Sequence, residues 1–297
     1  MKTPEQIFSH VLSGTLGEAK ESAVYAPSNI ALSKYWGKRD AYLNLPLNSS
    51  LSISLGKWGT KTGIAPADQD SLTFNDQVLE TTDPAAKKVW RVVDLFAGPD
   101  RPRLRITTLN SIPTAAGLAS SASGFAALTL ALDHTFDTQL PKETLSMLAR
   151  FGSGSATRSF WHGFVKWNKG HMADGRDSHA HLVKGNMSDL RIAIVAVDTG
   201  PKSQSSRDGM NHTVATSPLF DAWPERAETD CTAIERAVKE GEFDTLGQIA
   251  EANALAMHAT MMAARPALTY LKPGSWQVLE TLWNARNEGL AAYATMD

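Results

Sequence analysis

The segment from Pro113 to Gly124, PTAAGLASSASG, combines small residues, two glycines and three serines in an order that suits phosphate binding. Small residues around Gly117 let a ligand approach the backbone closely. Ser120 and Ser121 stand at the start of a predicted helix, whose free N–H groups and positive dipole end attract phosphate. No Gly-Lys-Ser or Gly-Lys-Thr of a Walker A loop follows. Taken alone, the run is explained about equally well by a tightly packed helix start.

A second segment, residues 26–55, places two lysines beside two aromatic residues. Lys34 and Lys38 are four positions apart, and Tyr35 and Trp36 lie between them. The lysines could hold an anion. However, surface lysines whose stems lie along an apolar face while their charged heads reach solvent produce the same spacing. Charge alone therefore does not decide between a binding site and an ordinary surface.

A third segment, residues 150–167, surrounds two serines with glycines and continues to an arginine. Ser153, Ser155 and Arg158 would present hydroxyls and a guanidinium fork, and Gly154 would leave backbone amides accessible. This combination suits a diphosphate better than a single lysine would. Without further context, a glycine- and serine-rich turn beside an unrelated surface arginine is the simpler interpretation.

Together these segments resemble the diphosphomevalonate decarboxylases of the GHMP kinase superfamily. Residues 113–122 follow the pattern Pro-x-x-x-Gly-Leu-x-Ser-Ser-Ala and resemble the superfamily's phosphate loop. Residues 26–55 resemble the N-terminal signature that separates the decarboxylases from their kinase relatives. The matching positions there are Asn29, Lys34 to Arg39, Pro46 and Asn48 to Ser50. Residues 150–167, 202–213 and 253–266 resemble further elements of the same family.

The resemblance implies an α+β, two-lobed GHMP kinase-like fold with the active site in the cleft between the lobes. The N-terminal lobe, residues 1–190, would resemble ribosomal protein S5 domain 2, and residues 191–297 would form an α+β decarboxylase lobe. The implied reaction is ATP-dependent decarboxylation of 5-diphosphomevalonate to isopentenyl diphosphate, with release of ADP, phosphate and CO₂. The implied cofactors are ATP and Mg²⁺.

The resemblance also assigns roles to individual residues. Asp297 would orient or deprotonate the C3 hydroxyl, and Lys34 would offset charge in the transition state. The residues expected to bind the ATP phosphates are Pro113, Ala116, Gly117, Leu118, Ala119, Ser120 and Ser121, with Ser121 near Mg²⁺. The residues expected to bind the substrate are Tyr35, Trp36, Lys38, Ser153, Gly154, Ser155, Arg158, Ser206 and Arg207.

The last residues, YATMD, resemble the family segment whose aspartate is the catalytic acid–base group. That position is Asp297, where the sequence stops, whereas the family pattern continues with Ala-Gly-Pro-Asn. We therefore expect an intact chain to extend past Asp297, and a protein that ends there to have little or no decarboxylase activity.

Three other functions are compatible with the same motifs. A decarboxylase of the 5-monophosphate is the nearest, although the number of diphosphate-binding candidates favours the diphosphate. A kinase that phosphorylates the C3 hydroxyl without decarboxylation is disfavoured by the presence of both Lys34 and Asp297. A non-catalytic protein that binds phosphorylated metabolites is the most distant. Release of CO₂ together with ADP separates the lyase from the kinase.

Composition sets broad limits on these functions. The 297 residues carry a net charge of −2, so any anion site must be local, and nucleic acid or an anionic membrane is not expected as a partner. The single cysteine, Cys231, excludes an internal disulfide. No signal peptide is predicted, and no run approaches the roughly 20 apolar residues of a membrane helix. We expect a cytoplasmic homodimer that binds small molecules.

Apolar periodicity predicts the elements that position these residues. Strands are expected around residues 51–55, 104–109, 158–167, 192–197 and 290–296. Helices are expected at 114–132, 141–150, 227–238, 243–261 and 275–288. Residues 171–186 should be a loop that includes a short strand. The mixture lacks regular βαβ alternation, which favours an α+β architecture, and the lobe boundary is expected near residue 190.

Overall fold

The structure is a computed structural model that describes residues 2–14, 16–111, 120–198 and 204–296. The helices within these residues are α1 (Pro4–Leu12), α2 (Pro84–Ala97), α3 (Ser120–Thr135), α4 (Lys142–Ala149), α5 (Ser206–Thr216), α6 (Trp223–Glu240), α7 (Phe243–Met262) and α8 (Pro273–Asn287). Short 3₁₀ helices span Gly154–Arg158 and Phe220–Ala222. Within the same residues, none of the helices has the length and apolar character needed to cross a bilayer.

The strands form one mixed sheet and one small ribbon. They are β1 (Ser22–Ser33), β2 (Lys38–Asp40), β3 (Leu45–Pro46), β4 (Ser50–Pro66), β5 (Ser71–Phe74), β6 (Gln77–Leu79), β7 (Leu104–Asn110), β8 (Phe164–Trp167) and β9 (Ala180–Val183). In the described residues, the sheet has the order β6-β5-β7-β4-β8-β9, and β1 also pairs with β4. The pairs are antiparallel except β5 with β7, and β2 and β3 form the separate ribbon.

The long strand β4 joins the two ends of the sheet. Its first residues pair with β8, its last residues pair with β7, and β1 runs antiparallel along most of its length. The register of β1 shifts between Pro27 and Asn29, where proline has no N–H to donate to the ladder. The predicted strands at 51–55 and 104–109 are confirmed as parts of β4 and β7, and Leu104 and Ile106 are fully buried.

Three apolar clusters hold helices to the sheet and to one another. The first packs α1 to α4 against β1, β4, β5 and β7, and includes Phe8, Val93, Ile106 and Leu132. The second packs α6 and α7 against β1, β4, β8 and β9. The third joins Trp36 to α5, α6 and α7. The residues that follow β1 therefore lie where sheet and C-terminal helices meet.

The predicted helices at 141–150, 227–238 and 243–261 are confirmed as α4, α6 and α7. The helix predicted at 275–288 begins two residues earlier, at Pro273, and Ser275 accepts a hydrogen bond from the backbone of Lys272 at 3.1 Å. Gly289 follows it with φ +101°, the conformation for which glycine is suited. The helix predicted at 114–132 is observed from Ser120, and residues 112–119 lie outside the described range.

Two predicted strands are wrong. Residues 192–197 have no strand partner among the described residues, and Ile192, Val195 and Val197 are exposed. Residues 290–296 are also irregular, because side chains of α7 and α8 take backbone groups that a neighbouring strand would otherwise pair. In the segment 158–167, only Phe164–Trp167 is strand, since Arg158 ends a 3₁₀ helix and residues 159–163 form turns and bends.

Candidate active site

Lys34 stands directly after β1, and its backbone is held from two directions. The Lys34 N–H donates to Oδ1 of Asn253 on α7 at 2.8 Å, and the Lys34 carbonyl accepts from Nδ2 of Asn48 at 2.8 Å. Asn253 in turn donates to Asp230 of α6 at 2.9 Å. Lys34 itself is only 2% exposed. Asn253 and Asn48 thus fix the backbone from which the Lys34 side chain projects.

Tyr35 provides an aromatic wall with a polar tip. Its ring meets that of Trp167 edge to face, with centroids 4.8 Å apart. A side chain at Gly154 would place Cβ only 2.8 Å from Tyr35 Cε1, so glycine is required for this approach. The Tyr35 hydroxyl is buried and has no hydrogen-bond partner within the described part of the chain. Burying a hydroxyl without a partner is unfavourable, so this group is available to a ligand.

The electrostatic surroundings of Tyr35 are positive. Burial raises the pKa of its phenol, while Arg158, Arg207 and Arg150 act in the opposite direction by favouring the phenolate. Burial is the larger effect, so the hydroxyl keeps its proton and can act as a donor. The same arginines would attract an anion that accepted this hydrogen bond.

Three serine hydroxyls form a chain beside Tyr35. Ser121, near the start of α3, lies with its Oγ 3.3 Å from that of Ser153, which lies 3.1 Å from that of Ser155. Asn29 of β1 donates to the Ser155 carbonyl at 3.3 Å. The structure therefore brings Ser121 of the first sequence segment together with Ser153 and Ser155 of the third, in an arrangement that offers several hydroxyl groups to one ligand.

Arg158 is 3% exposed and is oriented by the sheet. Its Nη1 donates to Ser50 Oγ at 2.5 Å, and its Nε donates to Asn29 Oδ1 at 3.4 Å. The guanidinium lies 6.0 Å from the centroid of the Trp167 ring. These contacts fix the plane of the fork, which determines where it can bind an anion.

A group of cations surrounds a pocket next to these residues. Lys88 and Arg91 of α2 line it together with Arg207 of α5, and we call this feature the cation pocket. In the part of the chain that the structure describes, no acidic side chain lines it. Burial, together with repulsion from Arg207 and Lys88, lowers the pKa of Lys38 to about 8. Like charges in one place favour binding of an anion.

Arg150 supports the floor of this region from within the core. It is fully buried, and it donates to the carbonyls of Leu43 at 3.2 Å, Gly175 at 2.8 Å and Ser178 at 2.5 Å. Burial and, to a smaller extent, the charge of Arg39 lower the pKa of its guanidinium to about 9. Arg150 thereby connects the loop before β3 with the loop before β9.

The predicted site residues are brought together to different degrees. Tyr35, Lys38, Arg158 and Arg207 surround one positive region. Ser206 is exposed in the first turn of α5. Trp36 is 5% exposed within the third apolar cluster, and its carbonyl accepts from Trp223 at 2.7 Å, so its part in ligand binding stays a prediction. Residues predicted for ATP at Pro113 and Ala116 to Ala119, and the predicted catalytic Asp297, lie outside the described residues.

Sequence reasoning missed Lys88, Arg91 and Asn253. Charged residues three apart on an amphipathic helix ordinarily form a solvated face, so their spacing gave no signal of a pocket. Asn253 falls among apolar residues of α7 and is fully buried. A polar residue on an otherwise apolar helical face requires a hydrogen-bond partner, and that was the available signal.

Comparison with known families identifies the family to which the chain belongs. Residues 26–180 match the model of the diphosphomevalonate decarboxylase-like N-terminal domain, and residues 192–297 match that of the mevalonate 5-diphosphate decarboxylase C-terminal domain. The chain belongs to the diphosphomevalonate decarboxylase family. The resemblance found in the sequence is confirmed, although the boundary near residue 190 stays a prediction.

Individual relatives of this family support the same assignment. The diphosphomevalonate decarboxylase of Candida albicans is 34% identical over 93% of this chain and 81% of its own length. The human diphosphomevalonate decarboxylase is 34% identical over 92% of this chain and 73% of its own length.

Solved structures of mevalonate diphosphate decarboxylases have the same fold. The Staphylococcus aureus protein has a TM-score of 0.85 at 35% identity, covering 94% of this chain and 85% of that one. The Enterococcus faecalis protein has a TM-score of 0.81 at 36% identity, covering 94% and 86%. A further structure, described as MDDEF in complex with MVAPP, AMPPCP and magnesium, has a TM-score of 0.84 at 38% identity, covering 94% and 86%. The expected α+β, GHMP kinase-like fold is thereby confirmed.

Proposed function

We propose that this chain catalyses the ATP-dependent decarboxylation of 5-diphosphomevalonate to isopentenyl diphosphate, with release of ADP, phosphate and CO₂. The observation that carries the proposal is the convergence of Arg158, Arg207 and Arg150 on the buried hydroxyl of Tyr35, in a chain of the diphosphomevalonate decarboxylase family. Lys38 interacts with Arg207 and so belongs to the same positive region. A site with this charge suits a diphosphate, and MVAPP is bound in a solved relative.

The chemistry requires a better leaving group than hydroxide. The C3 hydroxyl oxygen of the substrate attacks the γ-phosphorus of ATP, ADP leaves, and the hydroxyl proton passes to a base. The C3–O bond then breaks, and phosphate departs with the electron pair. The electrons of the C1–C2 bond form the C2–C3 double bond as CO₂ is released. The protein contributes mainly by positioning the reactants and stabilising charge.

Lys34 and Asp297 are the residues that we assign to this centre. Asp297 would accept the C3 hydroxyl proton. Lys34 would stabilise the developing charge on the tertiary oxygen or the carboxylate. The bonds of its backbone to Asn253 and Asn48 support this role, because a fixed cation needs no reorganisation during the reaction.

The diphosphate would lie among the groups around Tyr35. Arg158 would supply a planar fork, Lys38 and Arg207 would supply charge, and the hydroxyls of Ser153 and Ser155 would donate hydrogen bonds. Gly154 would allow close approach, and Ser206 would contribute a further hydroxyl from α5. Arg207 also lines the cation pocket, whose charge supports the selection of a highly charged ligand.

The ATP phosphates would be held by the loop from Pro113 to Ser121, at the N-terminus of α3. Ser121 fits a magnesium site, because its hydroxyl is exposed and lies 3.3 Å from that of Ser153. Mg²⁺ in nucleotide sites takes few protein ligands and fills the rest with phosphate oxygens and water. Bound there, it would neutralise charge on the β- and γ-phosphates. AMPPCP and magnesium are bound in a solved relative.

A coupled assay tests the proposal. Purified full-length protein is given ATP, Mg²⁺ and either 5-diphosphomevalonate or the 5-monophosphate, and ADP and CO₂ are both measured. We expect equal amounts of ADP and CO₂ with the diphosphate and a much lower kcat/KM with the monophosphate. ADP without CO₂ would indicate a 3-kinase, and a preference for the monophosphate would indicate the other decarboxylase. The lobe boundary near residue 190, the cytoplasmic location and the homodimer remain predictions.

Asp297→Asn tests the assignment of the base in the same assay. We expect a large fall in kcat with KM nearly unchanged, because the interaction is made mainly in the transition state. Near-normal turnover by this variant would contradict the assignment and leave Lys34 as the leading candidate.

A further inference from the structure

The irregular segment before Asp297 is held by two charged side chains. Glu251 of α7 accepts from the backbone N–H of Ala294 at 2.9 Å, and Arg286 of α8 donates to the carbonyl of Ala292 at 2.9 Å. The two side chains also form a bidentate pair, with distances of 3.1 and 2.8 Å. Each residue of the ion pair therefore binds one backbone group of residues 292–294.

Glu251 is the centre of this arrangement. It is 7% exposed, and it also accepts from Trp283 Nε1 at 2.9 Å, so four donors converge on one carboxylate. Burial raises the pKa of Glu251, but Arg286, the Ala294 amide and Trp283 together lower it below its usual value. The carboxylate is thus ionised at neutral pH, and the bidentate geometry restricts its orientation.

Further contacts fix the same segment against the fold. The Tyr293 ring packs on Gly247, where a Cβ would approach it to 2.0 Å, and its hydroxyl donates to Asp244 at 3.0 Å. Thr295 donates to the carbonyl of Ala31 in β1 at 3.0 Å. Ala31 precedes Lys34 by three residues, so this segment is attached to the strand that leads into the proposed active site.

We propose that Glu251, together with Arg286, is a positioning residue for Asp297. The inference depends on the proposed function, in which Asp297 is the acid–base group. Asp297 follows Thr295 by two residues, so covalent geometry alone keeps their Cα atoms within roughly 7.6 Å. A displacement of residues 292–295 would therefore be passed on to the Asp297 carboxylate. Misplacement of a reacting group by about 1 Å can lower a rate on the order of 100-fold.

The main test is Glu251→Gln in the full-length enzyme. Glutamine keeps the shape of the side chain but removes the charge that binds Arg286, and it leaves a weaker acceptor for the Ala294 amide. We expect kcat to fall by about 10-fold to 100-fold, on the scale of such misplacement. The KM for 5-diphosphomevalonate and the nucleotide Kd should change by no more than about twofold, since the proposed binding residues are untouched.

Glu235→Gln is the matched control. Glu235 of α6 also joins two cations, Lys166 at 2.7 Å and Lys239 at 2.6 Å, but it lies outside the segment before Asp297. This variant should lower the melting temperature comparably and leave kcat at the wild-type value. Thr295→Val is a second probe, because it removes only the hydrogen bond to Ala31 and should lower kcat without a change in substrate KM.

If the wild-type enzyme is active, any of three outcomes would overturn the inference. The first is a wild-type kcat in both Glu251→Gln and Thr295→Val. The second is a fall of kcat in Glu235→Gln equal to that in Glu251→Gln, and the third is a rise of substrate KM in Glu251→Gln as large as its fall in kcat. If Glu251→Gln does not fold, the Thr295→Val result decides. A wild-type protein that releases no CO₂ from the substrate would instead refute the proposed function, so the two failures are distinguishable.

Discussion

Lys38 should make substrate binding depend on pH in an unusual range. Its pKa is lowered to about 8, first by burial and then by Arg207 and Lys88, whereas a lysine in water titrates near 10.5. In the free protein, Lys38 therefore loses its proton within a range that is accessible to assay. A bound diphosphate would restore a higher pKa, because an adjacent negative charge favours the protonated form.

The affinity for the diphosphate should fall as Lys38 loses its proton. Binding is favoured where free Lys38 is already protonated, which is below its free pKa, and weakens as the pH rises through that value. With a free pKa of about 8, roughly 90% of Lys38 is protonated near pH 7 and roughly 10% near pH 9. The Kd for 5-diphosphomevalonate should therefore rise about tenfold over this interval. Phosphate ionisation, with a pKa near 6, is largely complete before this range.

Calorimetric titration without ATP measures this Kd directly, and Lys38→Arg is the decisive variant. Arginine stays charged throughout the range, so the pH dependence should disappear while the affinity near pH 7 remains within several-fold. A Kd of the wild-type protein that is constant between about pH 7 and pH 9 would refute the assigned role. An equal rise in Lys38→Arg would show that another group titrates.

Three further substitutions test the rest of the site. Arg158→Lys keeps the charge but loses the planar fork bound to Ser50, so the substrate KM should rise about tenfold or more. In steady-state kinetics this rise should be larger for the diphosphate than for the monophosphate, and the KM for ATP should stay constant. Gly154→Ala places a Cβ 2.8 Å from Tyr35, so a thermal melt should show destabilisation of about 1–3 kcal/mol and calorimetry should show weaker diphosphate binding. Gly117→Val should abolish nucleotide binding, and normal ATP affinity by calorimetry would contradict the phosphate-loop assignment.

The elements that could be predicted from the sequence are those defined by local apolar spacing. In α6, Cys231, Ile234 and Val238 lie on one buried face, and in β7, Leu104 and Ile106 alternate with exposed residues. Such patterns depend only on the period of the element itself. The predicted boundaries of α4 and α7 accordingly lie within one residue of those observed, whereas α6 begins four residues before its predicted start.

The wrong predictions concern segments whose structure depends on distant residues. A strand requires a partner, and the apolar residues between 192 and 197 cannot specify one. In the segment 290–296, the Ala294 amide is bound by Glu251, more than forty residues earlier in the chain. No periodicity within the segment records that contact. The same limit explains why Lys88 and Arg91, on a helix with no site motif, could not be assigned to the pocket that Arg207 completes.

Arg150 is compensated differently from two partly buried cations elsewhere in the described residues. Lys166 and Arg286 lie in ion pairs with Glu235 and Glu251, which cancel their charge. Arg150, next to the cation pocket, instead donates from Nε and Nη1 to three backbone carbonyls, which are neutral and leave its charge in place. A charge kept in a region of low dielectric acts over a longer range than one exposed to water. In a chain with a net charge of −2, this arrangement concentrates positive potential where Tyr35 and Lys38 lie, and a polyanionic substrate is the counter-charge that it lacks.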